Sequence, residues 1–544
     1  MRLIVRAPLL LALAAQAVVA QSPADHRPGA HEALGTVHFA VSCSTAAQPE
    51  FERAVALLHH MTYPEAQRAF ERVATLDPRC AMAHWGVAMT LFQPLWPTRP
   101  GPAALQRGWN EARAAAALAP PTETERLFIA SVEAFFLDPA SPDFGARVRR
   151  WNEALAKLHA AVPDDAEASA FYALSLLATA PANAVSRSHA DSAAELLLGV
   201  YERNPAHPGA MHYLVHANDM PARASDSLAL TRRYEAMAPR NPHALHMPTH
   251  IYTRLGDWDG AIRGNLLAAE AALQQPAGER RDMVWDEFPH AVEYLVYAYL
   301  QQGADSAAAA QLQRLRGTAR LEPTFKTAFH FASTQARWVL EREAWTEAAQ
   351  IQPRTPAGLD WDRFAWPEAV SQFARGMGAA HTGDVAAAKA AAMRIEELDG
   401  VMMRAKEELF ARCIRILGLE LRSWIAHAEH QRDSSVTLMR AAAELEATTP
   451  KPAVTPAPTI PALELLGDLL MEQGQPEGAL ASYRRSLAEY PRRFRSLLGA
   501  ARAARALNDA AGARGFYQSL IEVADTGTSR AGIREAKDYL AAPR

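Results

Sequence analysis

Seven of the nineteen histidines fall between residues 207 and 290. Imidazole both ligates metals and titrates near neutral pH, so such a concentration is where chemistry is to be sought. Two of the seven, His212 and His216, stand in MHYLVH, and His246 and His250 stand in HMPTH. Each pair has the i, i+4 spacing, which on a helix sets Cβ atoms about 5–6 Å apart on one face. The pairs are themselves 34 residues apart, and Pro208 and Pro242 keep the same interval. Proline fits the first turn of a helix, where its missing N–H has no partner to lose. On packed helices about 8–10 Å apart, these imidazoles can converge on one ion at the Zn–N distance of about 2.0–2.1 Å. Three histidines with Glu293 or water suit zinc, and an all-imidazole set also takes copper or nickel. Mutual repulsion lowers the imidazole pKa values and favours the neutral, ligating form. Two other readings fit the same residues: a hydrogen-bonding pair copied once, or direct contact with a bound peptide.

The 34-residue interval recurs elsewhere. Leu463, Leu466, Gly467, Leu470, Ala479, Tyr483 and Pro491 outline a helix–turn–helix unit, and adding 34 gives Ala500, Ala501, Ala513 and Tyr517. Small residues let antiparallel helices approach, and the tyrosine fills the groove to the next unit. Tyr63, Ala66, Phe70 and Pro78 in YPEAQRAFERVATLDP take the corresponding places, as do Tyr252, Gly256, Trp258, Ala261 and Ala268 in HIYTRLGDWDGAIRGNLLAA. Gly303 and Ala308 mark a further unit, and apolar periodicity marks weaker pairs at 104–136, 147–180, 366–397 and 401–447.

These residues and spacings resemble the tetratricopeptide repeat family. The resemblance implies an all-α fold, a right-handed superhelical solenoid of antiparallel helix pairs. It also implies that the fifth and ninth places of each first helix face a concave groove where a protein or peptide partner binds. His212, His216, His246 and His250 occupy those places in two units. Glu293 and Tyr297 occupy them in the next, while His243 and His290 fall in second places that also line the groove. Arg254, Asp219 and Asp257 lie near them in sequence and serve equally well as turn and cap residues.

Around this array the sequence predicts an arrangement of segments. Arg2, Arg6 and the apolar run from Ala7 to Val19 read as a signal peptide over 1–20, which implies a periplasmic or secreted protein. An N-terminal extension (21–46) precedes a main solenoid (47–447). The proline-rich stretch 448–460 reads as a semi-rigid linker to a C-terminal repeat pair at 461–540. Loops are expected at 272–282 and 349–365. Of three cysteines, Cys43 and Cys80 flank the first helical hairpin and are the candidate disulfide, leaving Cys413 in the core. His59 and His60 read as helix-end residues, and His427 and His430 as a solvated face.

With 49% hydrophobic and 21% charged residues the chain is far from a disordered composition. A net charge of −4 gives no electrostatic reason to expect nucleic acid. No later segment is apolar enough for a stable membrane anchor. There is no G-x-S-x-G, no Walker-type loop and no H-E-x-x-H. The sequence thus favours an exported scaffold that binds a protein partner. The alternative is a metal-binding protein, or a metal-dependent hydrolase with Glu293 as a further ligand or general base.

Overall fold

The structure, a computed structural model, describes residues 33–542 apart from 97, 182–186, 278–279, 526 and 529. The expected signal peptide lies outside the described residues. Ala33–Arg544 forms one compact unit. It is an α-solenoid in which each helix packs against the next, from Gln48–His59 with Tyr63–Leu76 to Phe494–Ala506 with Ala510–Val523.

The helix pairs form where small residues meet aromatics. A Cβ on Gly467 would lie 2.5 Å from the Tyr483 ring, and one on Gly499 would lie 2.3 Å from it. One tyrosine therefore locks its own unit and the following one, which is how neighbour stacking buries a continuous core. Phe70 sits against Gly86 in the same way, with 2.1 Å left for a Cβ. The weaker units are present too, among them Pro102–Ala117 with Glu123–Phe136 and Glu408–Ala428 with Arg432–Ala447.

Within the extension, residues 34–41 run extended and bury Leu34, Val37 and Phe39. The Phe39 ring lies 4.8 Å from that of Phe128 and 5.4 Å from that of Phe51. A disulfide joins Cys43 to Cys80. The stretch expected as a loop at 272–282 contains instead a short antiparallel hairpin, Pro276–Ala277 with Arg280–Val284. Among the described residues, no helix is long and apolar enough to cross a membrane.

The largest departure from expectation is the proline-rich stretch. The segment expected as a semi-rigid linker is packed into the solenoid, where its carbonyls meet a buried cation. Arg337, fully buried, donates to the carbonyls of Pro458 (2.9 Å) and Ala457 (2.6 Å). Val454, Ala457 and Ile460 are buried, and Lys451 forms an ion pair with Asp219 at 2.8 Å. Proline-rich chain exposes its backbone carbonyls, which suits a segment laid against arginine and lysine side chains. The C-terminal pair also folds back on the central helices. Arg493 donates to Tyr297 Oη (3.0 Å) and bonds Glu341 and Glu464 (2.9 and 2.8 Å).

Candidate metal centre

Helices Pro208–Asn218, Pro242–His246, Pro248–Leu255, Glu287–Gln301 and Phe325–Leu340 stack side by side and carry seven imidazoles into the interior. Pro208 and Pro242 both occupy first-turn positions, and His207 and Asn241 cap the helices that follow them. Two groups of three result. His212, His216 and His243 bring ligand nitrogens within 4.8 Å of one another, and so do His246, His250 and His290.

The two groups share one construction. Each takes the fifth and ninth places of one repeat and the second place of the next: 212 and 216 with 243, then 246 and 250 with 290. The 243-to-290 interval exceeds 34 because the hairpin is inserted between them. His290 nevertheless reaches its neighbours, with its ring centroid 4.1 Å from that of His246.

The hydrogen bonds fix the tautomers. His212 Nδ1 lies 2.6 Å from the His59 carbonyl oxygen, which only accepts, so this nitrogen carries the proton. His243 Nδ1 donates to Glu287 (3.3 Å) and His250 Nδ1 to Asp219 (2.9 Å). His246 Nδ1 donates to Asn265 Oδ1 (2.7 Å), whose orientation is set because the amide Nδ2 donates to the Ala261 carbonyl (2.8 Å). Where such a ring is neutral, its Nε2 is left with the lone pair. These lone pairs face one another: His212 and His243 Nε2 are 3.2 Å apart, and His246 and His250 Nε2 are 3.0 Å apart. Two acceptors at that distance repel unless a cation or a further donor lies beside them; His216 Nε2 lies 3.2 Å from His212 Nε2, and Tyr294 Oη lies 3.5 Å from His250 Nε2.

A proton is poorly suited to that role. Burial, reinforced by His243 and His216, holds His212 well below the ordinary imidazole value. Burial does the same to His246 and His290, with neighbouring histidines adding to it. His250 is lowered to about 4 by burial, although Asp219 opposes the shift. All are neutral at physiological pH, which is the ligating form. Among the described residues, His290 has no hydrogen-bond partner at either nitrogen, and His330, whose ring lies 4.3 Å from that of His290, has none at Nε2. His216 is half-buried and gives the first group its one exposed edge.

A third group, His59, Glu167 and His207, passes the same distance test and differs in its protons. His59 Nε2 and His207 Nε2 donate to the two oxygens of Glu167 (2.7 and 3.0 Å). His59 Nδ1 accepts from Tyr213 Oη (3.1 Å) and His207 Nδ1 from the Ala210 amide (3.0 Å). Every nitrogen is satisfied, so this group is a hydrogen-bonded strut. His59 and His60 do end the helix Gln48–His59, as expected, but both are buried. His60 is fully buried between Tyr234 Oη (2.8 Å) and the Leu34 carbonyl (3.0 Å).

Other expected site residues have other employment. Glu293 is neither ligand nor base for these groups. Its oxygens accept from His330 Nδ1 (2.5 Å), Ser333 (2.6 Å) and Arg337 (3.1 Å). Burial pushes its carboxyl up, but these donors outweigh burial and hold it low. Tyr297 is buried against Arg493, and Arg254 donates to Asp219 Oδ1 (2.8 Å). These side chains do not line an open groove, since the chain's own residues 451–460 and 493 cover them. Sequence reasoning missed the orienting residues His59, Asn265 and Glu287 and the seventh imidazole, His330. His330 lies off the 34-residue register, and the orienting acceptors are single residues on separate elements.

The comparisons with known proteins bear on the fold. Residues 465–527 match the tetratricopeptide repeat family. No curated protein sequence matches the chain. Among solved structures the chain is similar to the APC/C hetero-tetramer Cut9–Hcn1, at 11% identity over 91% of this chain and 89% of that one, TM-score 0.33. It is also similar to the human IFIT1 dimer with PPP-AAAA, at 12% identity over 87% and 89%, TM-score 0.37. The C-terminal helix pairs are tetratricopeptide repeats, and the chain is a helical-repeat protein that carries them.

Proposed function

We propose that this protein holds metal ions in two imidazole centres built by consecutive repeats, His212/His216/His243 and His246/His250/His290, with zinc or copper as the ion. One observation carries the reading: lone pairs of His212 and His243, and of His246 and His250, face each other at 3.0–3.2 Å with each Nδ1 proton already committed. Fixing Nδ1 on an acceptor is the usual device for presenting Nε2 to a metal. The burial of Arg254, Glu293 and Tyr297 beneath the chain's own C-terminal part weighs against a peptide groove at this place. Elsewhere the solenoid offers extended surface, and its tetratricopeptide segment supports a protein partner there. Export to the periplasm or beyond is part of the proposal. The basic and apolar N-terminal sequence and the Cys43–Cys80 disulfide support it.

The test is elemental analysis of tag-free protein after loading with zinc or copper and removal of free ion. About two equivalents are expected in the wild type. About one should remain when either trio is replaced by alanine, and all should remain when His207 is replaced. Absence of stoichiometric metal in the loaded wild type overturns the reading.

A further inference from the structure

The helices Glu408–Ala428 and Arg432–Ala447, together with the strap at 449–460, line a partly open cavity of about 70 Å³. Its walls include Phe329, Trp366, Leu417, Glu420, Glu446 and Lys451. Glu420 is fully buried, and neither carboxyl oxygen has a hydrogen-bond partner among the described residues.

Among the described residues, no other carboxylate has both oxygens buried without a partner. Asp219 has Arg254 and Lys451, Glu287 has Lys326, Glu293 has Arg337, and Glu464 has Arg493. Each of those buried carboxylates meets a cation, as burial of charge requires. Beside Glu420 the cation's place is taken by the cavity. Lys451 does not fill it, because its ammonium is engaged by Asp219 Oδ2 (2.8 Å) and the Thr455 carbonyl (2.7 Å). The second acid, Glu446, accepts from the Ala462 amide alone among the described residues, at 3.2 and 3.3 Å.

We propose that this cavity binds a small organic ammonium ion, its N–H groups donating to Glu420 and Glu446 and its apolar part lying against Phe329, Trp366 and Leu417. Aromatic walls favour such a cation further through their ring faces. A bare divalent ion is a poorer fit, since it needs several oxygen ligands where most of these walls are hydrocarbon. Without a ligand, burial pushes both carboxyls up, Glu446 to about 8 and Glu420 well above its ordinary value. The acids then stand protonated and neutral.

The experiment uses the full chain and calorimetric titration with n-propylammonium chloride, 1-propanol and magnesium chloride at millimolar concentrations. Saturable binding of propylammonium, with propanol at least tenfold weaker, is expected. Glu420→Gln should weaken propylammonium at least tenfold and raise the melting temperature of the unliganded protein, because it removes an unpaired buried acid. Glu446→Gln, the second variant, should weaken propylammonium without abolishing it. Failure of propylammonium to bind, equal binding of propanol, displacement by magnesium, or unchanged affinity in Glu420→Gln would each overturn the proposal. Metal content at the histidine centres is measured in parallel and is expected to be unaffected, so the two readings fail separately.

Discussion

Replacing His243 by glutamine separates a metal centre from a hydrogen-bonded histidine cluster more sharply than alanine does. In the metal-free wild type His243 Nε2 faces His212 Nε2 at 3.2 Å, acceptor against acceptor. A buried unsatisfied acceptor costs about 1–3 kcal/mol, and a new hydrogen bond contributes about 1 kcal/mol. Glutamine supplies an N–H where the imidazole had a lone pair, and it gives up only the long 3.3 Å bond to Glu287. The metal-free variant should therefore be at least as stable as the wild type, by about 1–3 kcal/mol. With metal the order reverses. A ligand that binds only the folded state at about a thousandfold above its Kd adds about 4 kcal/mol. At about 2.1 cal/mol/K per residue, a chain of this length melts about 4 °C higher for each such centre. Thermal melts with chelator and with excess zinc should show a rise of about 8 °C in the wild type and about 4 °C in His243→Gln, and metal analysis should show the loss of one equivalent. If His243→Gln melts several degrees below the wild type in chelator, the facing nitrogens are joined by a proton. The lone-pair argument would then be wrong.

Asp219→Asn should lower metal affinity about 10- to 100-fold at the second centre alone, because Asp219 orients His250 and touches no ligand of the first; competition titration against a chromophoric chelator resolves the two sites. Stability should fall as pH drops below about 6.5. His60 and His381 are each lowered to about 3 in the folded chain, chiefly by burial. The unfolded chain therefore binds more protons across that window, and each group costs about 2 kcal/mol by pH 5; urea melts at pH 7.5 and pH 5 check this. Reducing the Cys43–Cys80 disulfide, whose ends are 37 positions apart in sequence, should cost about 3–4 kcal/mol, read as a lowered unfolding midpoint in the presence of a thiol reductant.

The repeat architecture was legible because its determinants are local and periodic. Tyr483 at a fixed offset from Gly467 is a statement about packing that needs no third residue, and the structure places them in contact. The histidine pairs were legible for the same reason. What the sequence hid depends on chain closure. Nothing in TTPKPAVTPAPTIP announces that Arg337, more than a hundred residues earlier, binds its carbonyls. Composition favours a semi-rigid linker, and a buried arginine holds it against the solenoid. The sequence offers Glu293, beside water, as a further ligand because it holds a histidine's place in the repeat. That place also faces Arg337 and Ser333 on the next helix, and the guanidinium claims the carboxylate.

Duplication alone accounts for the recurrence of the histidines but not for the way their protons are held. Copying one repeat would reproduce 212 and 216 as 246 and 250 together with whatever oriented them. The orienting acceptors are instead unrelated: a backbone carbonyl at His59, a carboxylate at Glu287, an amide at Asn265 and a carboxylate at Asp219. They come from different elements and differ in chemistry, yet each engages Nδ1 and turns Nε2 toward another imidazole. The array also stops where its geometry stops. One repeat earlier the second place is Gly209, where any Cβ would lie 2.4 Å from His59 Nδ1. One repeat later the fifth and ninth places are Glu293 and Tyr297, both bound to arginines. An imidazole pair kept only for packing has no need of four separate devices that all present the same nitrogen, whereas a pair of metal centres does.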